Sequence, residues 1–263
     1  MEVGKRQVQD YWNEEPCNIR EGEPFPEGSL EFFERIEDSR YEDQSFIHSF
    51  VQFTRWRGKK VLEVGCGCGT DFIQFARAQA EACGIDMSQH SAELTRKRLH
   101  LYGLEGEVIV GDSENLPFLS GQFDLVYSWG VLHHTPDTGR AIKEIYRVLK
   151  PGGYIKAMVY RRFSAMGWAV YLKYGLLKGK PFTSLSHALS QYLESPGTQA
   201  YNMKEVKNLF LLFSGLKFQP LPIPEAMGLK GTPFLPLLRF YPGGLASWIA
   251  VEGQKLPVSI EKK

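Results

Sequence analysis

Three glycines, Gly65, Gly67 and Gly69, stand two apart between a short apolar run at 61–64 and a helical pattern carrying Phe72, Phe75 and Ala76. A backbone free of Cβ atoms there can turn sharply and let a ligand lie against the main chain. The dinucleotide fingerprint Gly-x-Gly-x-x-Gly would need its third glycine where this chain has Thr70, so the turn is of a different kind. Asp86 closes the next apolar run, 21 residues after Gly65, where a carboxylate can accept both ribose hydroxyls of an adenosine. The plainer reading is a helix-N-terminal carboxylate beside Ser88. Asp112 ends the run after that and can accept a hydrogen bond from an adenine amino group. His133 and His134 follow the fourth run, and an imidazole there could take a proton from a hydroxyl or amine. Helix capping or packing is the competing role for the pair. Further on, Tyr160, Arg161, Arg162, Trp168 and Tyr171 could roof an apolar or aromatic substrate, with an arginine pairing an anionic group, or could simply cover the core.

Such residues act together only if strand ends lie side by side. Apolar runs at 61–64, 82–86, 107–110, 123–128 and 154–160 alternate with helical stretches, one starting at Ser88 and another at 141–149, where Ile142, Ile145 and Leu149 share a face. Alternation of this kind predicts a parallel, doubly wound α/β sheet. Residues 150–153 stop the 141–149 helix, and strands at 218–223 and 248–252 bring the total to seven, with a helix at 203–213 and a Pro- and Gly-rich insertion at 224–244. Ahead of the first strand, 29–56 reads as one or two helices with Phe46, Phe50 and Phe53 on one face, and 1–28 as a polar arm outside the core, with a short helical stretch at 8–12. Residues 161–200 interrupt the alternation with an aromatic, basic, helical segment, long enough to be a cap. The expected organisation is an arm with helices at 1–57 and a principal domain at 58–263 that carries the 161–200 cap.

A length of 263 residues suits one large α/β domain. Thirty-one Lys and Arg against 30 Asp and Glu leave a net charge of +1, too weak a field to argue for nucleic acid. Cys17, Cys66, Cys68 and Cys83 form no spaced framework, so reduced thiols are expected, and no metal is predicted. Lacking an apolar leader, and with its most apolar stretches shorter than the roughly 20 residues a membrane-spanning helix needs, the chain reads as cytoplasmic with no membrane span.

From 61 to 154 the motifs Val-Leu-Glu-Val-Gly-Cys-Gly-Cys-Gly, Asp86, Gly111-Asp112-Ser113, the run 123–134 and Leu149-Lys-Pro-Gly-Gly153 follow in order. In this the chain resembles the class I S-adenosylmethionine (SAM) dependent methyltransferases, in particular the small-molecule branch similar to the ubiquinone and menaquinone biosynthesis methyltransferases. The resemblance implies a Rossmann-like fold, SAM as cofactor with S-adenosylhomocysteine as its product, and methyl transfer to a hydroxyl, amine or carbon of a small-molecule acceptor. It implies that Gly65, Gly67 and Gly69 line the methionine and ribose, that Glu63 orients their loop, and that Asp86 holds the ribose. Met87 would pack on the adenine, Asp112 and Ser113 would meet its edge, and Ser128 and Trp129 would lie beside the methionine. Tyr11, Trp12, Asn13 and Tyr41 match family positions that close over the cofactor. Two alternatives stay open: a SAM-binding regulatory or partner protein without catalysis, and an NAD-dependent oxidoreductase. Oligomeric state is not legible.

Overall fold

The computed structural model describes residues 4–221 and 246–257, so the segment expected at 224–244 and the end of the strand expected at 218–223 lie outside the described residues. Three helices come first, α1 (Lys5–Glu14), α2 (Leu30–Asp43) and α3 (Phe46–Val51). Phe46 and Phe50 face Trp129, at ring distances of 6.1 and 5.5 Å. Phe53 does not share their face. It falls in a separate 3-10 turn, Phe53–Trp56, and packs on Phe75 at 4.8 Å, because Gln52, at φ 58, ends α3 in the left-handed region.

The expected alternation follows as β1 (Lys60–Val64), α4 (Thr70–Arg77), β2 (Glu81–Asp86), α5 (Gln89–Leu101), β3 (Glu107–Val110), β4 (Phe123–Trp129), α6 (Thr138–Val148) and β5 (Leu149–Tyr160). Ser88 caps α5 by accepting from the Ser91 amide, and Asp137 caps α6 by accepting from the Arg140 amide. The latter starts α6 three residues earlier than the apolar pattern alone indicated. Strand β5 likewise begins at Leu149, which pairs with Phe123; a register shift across the Pro-Gly-Gly stretch then brings Tyr154 opposite Leu125. The cap follows as α7 (Ala165–Tyr174) and α8 (Leu185–Tyr192), then α9 (Met203–Leu209), β6 (Ser214–Leu221) and β7 (Trp248–Gln254).

The seven strands order as β3-β2-β1-β4-β5-β7-β6. β1 to β5 run parallel, and β7 runs antiparallel to both its neighbours. This is the Rossmann-like, mostly parallel sheet that the alternation predicted. Successive residues on a strand point to opposite faces, so Val61 and Tyr127 join one core with Trp56, Phe72 and Phe75, while Leu62 and Val126 join the other with Ile142, Ile145 and Phe210. Lys156 is buried, pairing with Glu252 at 2.9 Å and donating to the Phe50 carbonyl. The four cysteines are unpaired. Among the described residues no helix is long and apolar enough to cross a membrane.

Contrary to its reading as an arm outside the core, α1 packs across the sheet edge with Val8 buried. Lys5, Gln9 and Asn13 lie four apart and so share one helical face. Each holds a partner there. Lys5 pairs with Asp112 and Glu114, both at 2.6 Å. Gln9 donates to the Met87 carbonyl at 2.9 Å, and the Asn13 carbonyl meets His90 Nδ1 at 3.1 Å.

Candidate functional site

A cavity of about 450 Å3 runs along the carboxyl ends of the parallel strands. Ligands in open α/β sheets bind at that edge. Strands stand about 4.8 Å apart, so the strand order sets the order of groups along the cavity: Asp112 and Ser113 beyond β3, Asp86 and Met87 at β2, Glu63 and the glycine turn at β1, Trp129 and His134 beyond β4, then Met158 and Tyr160 on β5 with Trp248 on β7.

The three glycines of the turn all have positive φ, at +79, +53 and +76. Their surroundings differ. A Cβ on Gly65 would lie 2.2 Å from Val131 Cγ2, and one on Gly69 2.9 Å from Thr95 Cγ2. On Gly67 it would meet nothing nearer than Cys17 Cβ at 3.8 Å, since this glycine alone of the three opens toward the cavity without a close neighbour. Gly69 does not line the cavity. Asp86 braces the turn: one oxygen accepts from the Gly67 amide and the other from the Ser88 amide, both at 2.9 Å. Burial pushes the Asp86 carboxyl above its ordinary range, opposed by those amides. Asp112 accepts from the Glu114 amide at 2.8 Å as well as from Lys5.

Beneath the turn lies a buried carboxylate, Asp71, which sequence reasoning missed. It accepts from Arg40 at 2.7 Å, Tyr41 at 2.9 Å and Tyr127 at 2.8 Å. Burial disfavours the Arg40 charge, but the Asp71 carboxylate outweighs it and holds the guanidinium protonated. Glu63 is buried beside them with Oε2 unpaired, and Arg40 Nε is unpaired too. Burial first, then the charge of Asp71, drives the Glu63 carboxyl well above its ordinary range, against a smaller pull from Arg40. An orphaned acceptor and an orphaned donor on one cavity wall fit a ligand group bearing both an ammonium and a carboxylate, which the methionine end of SAM carries.

The adjacent histidines part company. His133 is fully buried, does not line the cavity, and packs at a tilt on Tyr160 with ring centroids 3.8 Å apart. Burial, with His134 alongside, holds its imidazole well below the ordinary range and therefore neutral. His134 faces the cavity. Its Nδ1 lies 2.9 Å from Ser195 Oγ and 3.0 Å from Thr198 Oγ1, and its Nε2 lies 3.1 Å from Glu194 Oε2. Thr198 also donates to the Ser195 carbonyl at 2.6 Å, so both hydroxyls hold the His134 ring in place with its Nε2 edge toward Glu194. Tyr160 donates to the same carboxylate at 2.8 Å. Glu194 was missed although it is the first acidic residue after Glu144.

The other expected residues divide between the cavity wall and its surroundings. Ser128 is buried and donates to the Val64 carbonyl at 3.0 Å, tying β4 to β1. Trp129 lines the cavity and donates to Gln44 at 3.0 Å. Trp12 lines it too, edge-on to His134 at 5.1 Å, and Tyr11 sits behind it at 5.0 Å. Of the five residues expected to roof the substrate, only Tyr160 lines the cavity. Arg161 forms a backbone bridge to Tyr201, and Arg162 pairs with Glu205 at 2.9 Å. Trp168 is 51% exposed, and Tyr171 donates to the Pro181 carbonyl at 2.7 Å. These two side chains belong to the outside of the cap because α7 turns that face away from the sheet.

A Rossmann-like sheet with a glycine turn and strand-end carboxylates along one cavity defines a SAM-dependent methyltransferase, and its cofactor is S-adenosylmethionine. Residues 61–153 match the methyltransferase domain family. The phthiotriol/phenolphthiotriol dimycocerosates methyltransferase of Mycobacterium leprae is 31% identical over 196 residues, 73% of this chain and 67% of that protein. The demethylmenaquinone methyltransferase of Bacillus cereus is 29% identical over 198 residues, 68% and 83% of the two chains. Among solved structures, phosphoethanolamine N-methyltransferase 2 of Haemonchus contortus, with phosphomonomethylethanolamine and S-adenosylhomocysteine, superposes at a TM-score of 0.60 with 15% identity, covering 95% of this chain and 60% of that one. A Haloferax volcanii methyltransferase with its Trm112 activator superposes at 0.57 with 16% identity, covering 87% and 96%. The chain belongs to the class I SAM-dependent methyltransferase family.

Proposed function

We propose that the protein transfers the methyl group of SAM to a protonated nucleophile, a hydroxyl, amine or activated carbon, of a small-molecule acceptor held at the β4–β5 end of the cavity. The observation that carries this reading is the cluster His134, Glu194 and Tyr160 at that end, walled by the apolar Trp12, Trp129, Met158 and Trp248. The names of the mycobacterial and bacillar relatives, which specify dimycocerosates and demethylmenaquinone as acceptors, favour a small molecule with an apolar body.

SAM supplies an electrophilic methyl on a sulfonium, and its transfer is an in-line displacement in which holding the reactants collinear and dry contributes on the order of 7–11 kcal/mol. Asp86 holds the ribose hydroxyls, Asp112 and Ser113 the adenine edge, and Met87 its face. Glu63 and Arg40 take the ammonium and carboxylate of the methionine end, and the Gly67 backbone leaves the room between. Ser128 acts through the β1–β4 seam, and Tyr11 acts by backing Trp12. His134 Nε2 receives the acceptor's proton, and Glu194 stabilises the imidazolium that results. His133 packs the base of the cluster. The cap segment 161–200 closes the acceptor end, through Tyr160 and Glu194, and so sets acceptor choice.

Asp86→Ala is expected to weaken SAM by about 1–3 kcal/mol, since ribose hydroxyls lose their acceptor. Isothermal calorimetry measures this, and unchanged affinity removes the ribose assignment. Glu63 gives a proton signature. Its raised value makes the folded, ligand-free protein hold a proton that the unfolded chain sheds. The stability it contributes is therefore full below the ordinary carboxyl range and lost as pH rises through the folded value. An ammonium against Oε2 favours the carboxylate, so SAM binding should release protons, less so as pH rises and not at all in Glu63→Gln. Calorimetry in buffers of different ionisation enthalpy reads it, and proton uptake would contradict the assignment. The function itself is tested by screening hydroxyl-, amine- and quinol-bearing acceptors for S-adenosylhomocysteine production, with mass spectrometry of the product. SAM binding with no turnover on any acceptor would favour a SAM-binding protein without catalysis.

A further inference from the structure

The outer face of the 161–193 segment has no role in the cavity, yet its composition is biased toward basic and apolar residues. Residues 161–193 contain no Asp or Glu and five Lys or Arg, within a protein whose 31 basic and 30 acidic residues nearly balance overall. Seven of the fifteen exposed large apolar side chains among the described residues fall between 163 and 192. Trp168 and Leu172, 51% and 49% exposed, are four apart on α7 and share a face. Leu176 and Leu177 extend it at 50% and 74% exposed. Phe182 stands wholly in solvent, at 99%, in a turn fastened to α7 by the Tyr171–Pro181 hydrogen bond. Exposed Lys173, Lys178 and Lys180 surround this patch, and among the described residues none of them is paired with a carboxylate.

We propose that this cap face docks on the surface of an anionic lipid bilayer, with the apolar side chains entering the headgroup boundary and the lysines lying against lipid phosphates. Charge complementarity selects this occupant. Apolar side chains ringed by cations, with no acidic residue among them, match a uniformly anionic surface, and a bilayer needs only apolar area with cations around it. Position supports it as well. The cap is suspended between Tyr160 and Glu194, which are hydrogen-bonded to each other and both line the acceptor end of the cavity. A face on the bilayer would hold that end beside acceptors whose apolar body resides in the membrane. This use of the docking rests on the proposed acceptor site; the docking itself does not.

The test is co-sedimentation of the full chain with phosphatidylcholine vesicles, with and without phosphatidylglycerol. Wild type should partition to the anionic vesicles at least about tenfold more strongly than to the zwitterionic ones, and less at high salt as the lysines are screened. Leu177→Glu with Phe182→Glu should lower partition to anionic vesicles by about tenfold or more. Lys178→Glu with Lys180→Glu should abolish the preference for anionic lipid. Both variants should keep the wild-type circular dichroism and SAM affinity, because none of these side chains reaches the cavity. Wild type left in the supernatant, or variants that bind as it does, would overturn the proposal. So would a dimer seen by sedimentation velocity that Leu177→Glu/Phe182→Glu dissolves without any vesicle binding, which would assign the face to a second copy. Vesicle binding with no methyl transfer on any acceptor leaves the docking standing and removes the catalytic reading instead.

Discussion

Replacing His134 with Ala lowers kcat by about 10²- to 10⁴-fold, the range of a lost general base, while the Kd for SAM stays within about threefold. The expectation rests on three features. His134 lines the cavity, Nδ1 is anchored by Ser195 and Thr198, and Glu194 sits 3.1 Å from Nε2. A protein that only packed this ring would lose stability and not a catalytic step. Glu194→Gln, which keeps the shape and removes the charge, should lower kcat by a smaller factor, about tenfold, because the base remains and only the stabilisation of its charged form is lost. His133→Asn should act chiefly on stability, since its ring lies outside the cavity. Steady-state kinetics with an identified acceptor, beside SAM calorimetry, separates these outcomes. If His134→Ala turns over within a few-fold of wild type, proton removal does not run through this residue.

Gly67→Val should raise the Kd for SAM by two orders of magnitude or more and leave a folded protein. The added side chain enters the cavity, where the backbone now leaves room, and a β-branched residue at φ +53 adds local strain of about 1–3 kcal/mol. That strain would show as a modest fall in Tm, with unaltered circular dichroism. Gly65→Val supplies the contrast, for its Cβ would strike Val131 at 2.2 Å, so it should compromise folding before binding can be asked about. A Gly67→Val protein that binds SAM normally would mean that the turn presents another face to the cofactor.

The strand-end residues of the site were readable because each is fixed by local spacing: the glycine turn, Asp86 and Asp112 each close an apolar run. Arg40, Asp71 and Glu194 escaped for the opposite reason. Arg40 meets Asp71 across 31 residues, and His134 meets Ser195 across 61, separations at which no periodic pattern carries information. The His133–His134 pair shows the limit on a smaller scale, since one peptide step sends one ring into the core and the other into the cavity. In the fold, helix and strand periodicity located the alternating elements, but β7 is buried along nearly its whole length. A run apolar on both faces does not reveal direction or neighbours. The 161–200 segment was expected from its length to cap the substrate, with Trp168 and Tyr171 in the roof, but those two side chains face outward.

The place of β7 also bears on how the protein comes into being. It is the last described strand to leave the ribosome, yet it occupies the position between β5 and β6. Until it arrives, β6 has no partner in the sheet and β5 presents an unpaired, largely buried-type edge to solvent or to whatever shields a nascent chain. Trp248, at its start, is also a wall of the cavity. Synthesis must therefore run through Gln254 before the sheet can close and the acceptor end is complete, and the half-made chain is where aggregation and chaperone dependence concentrate.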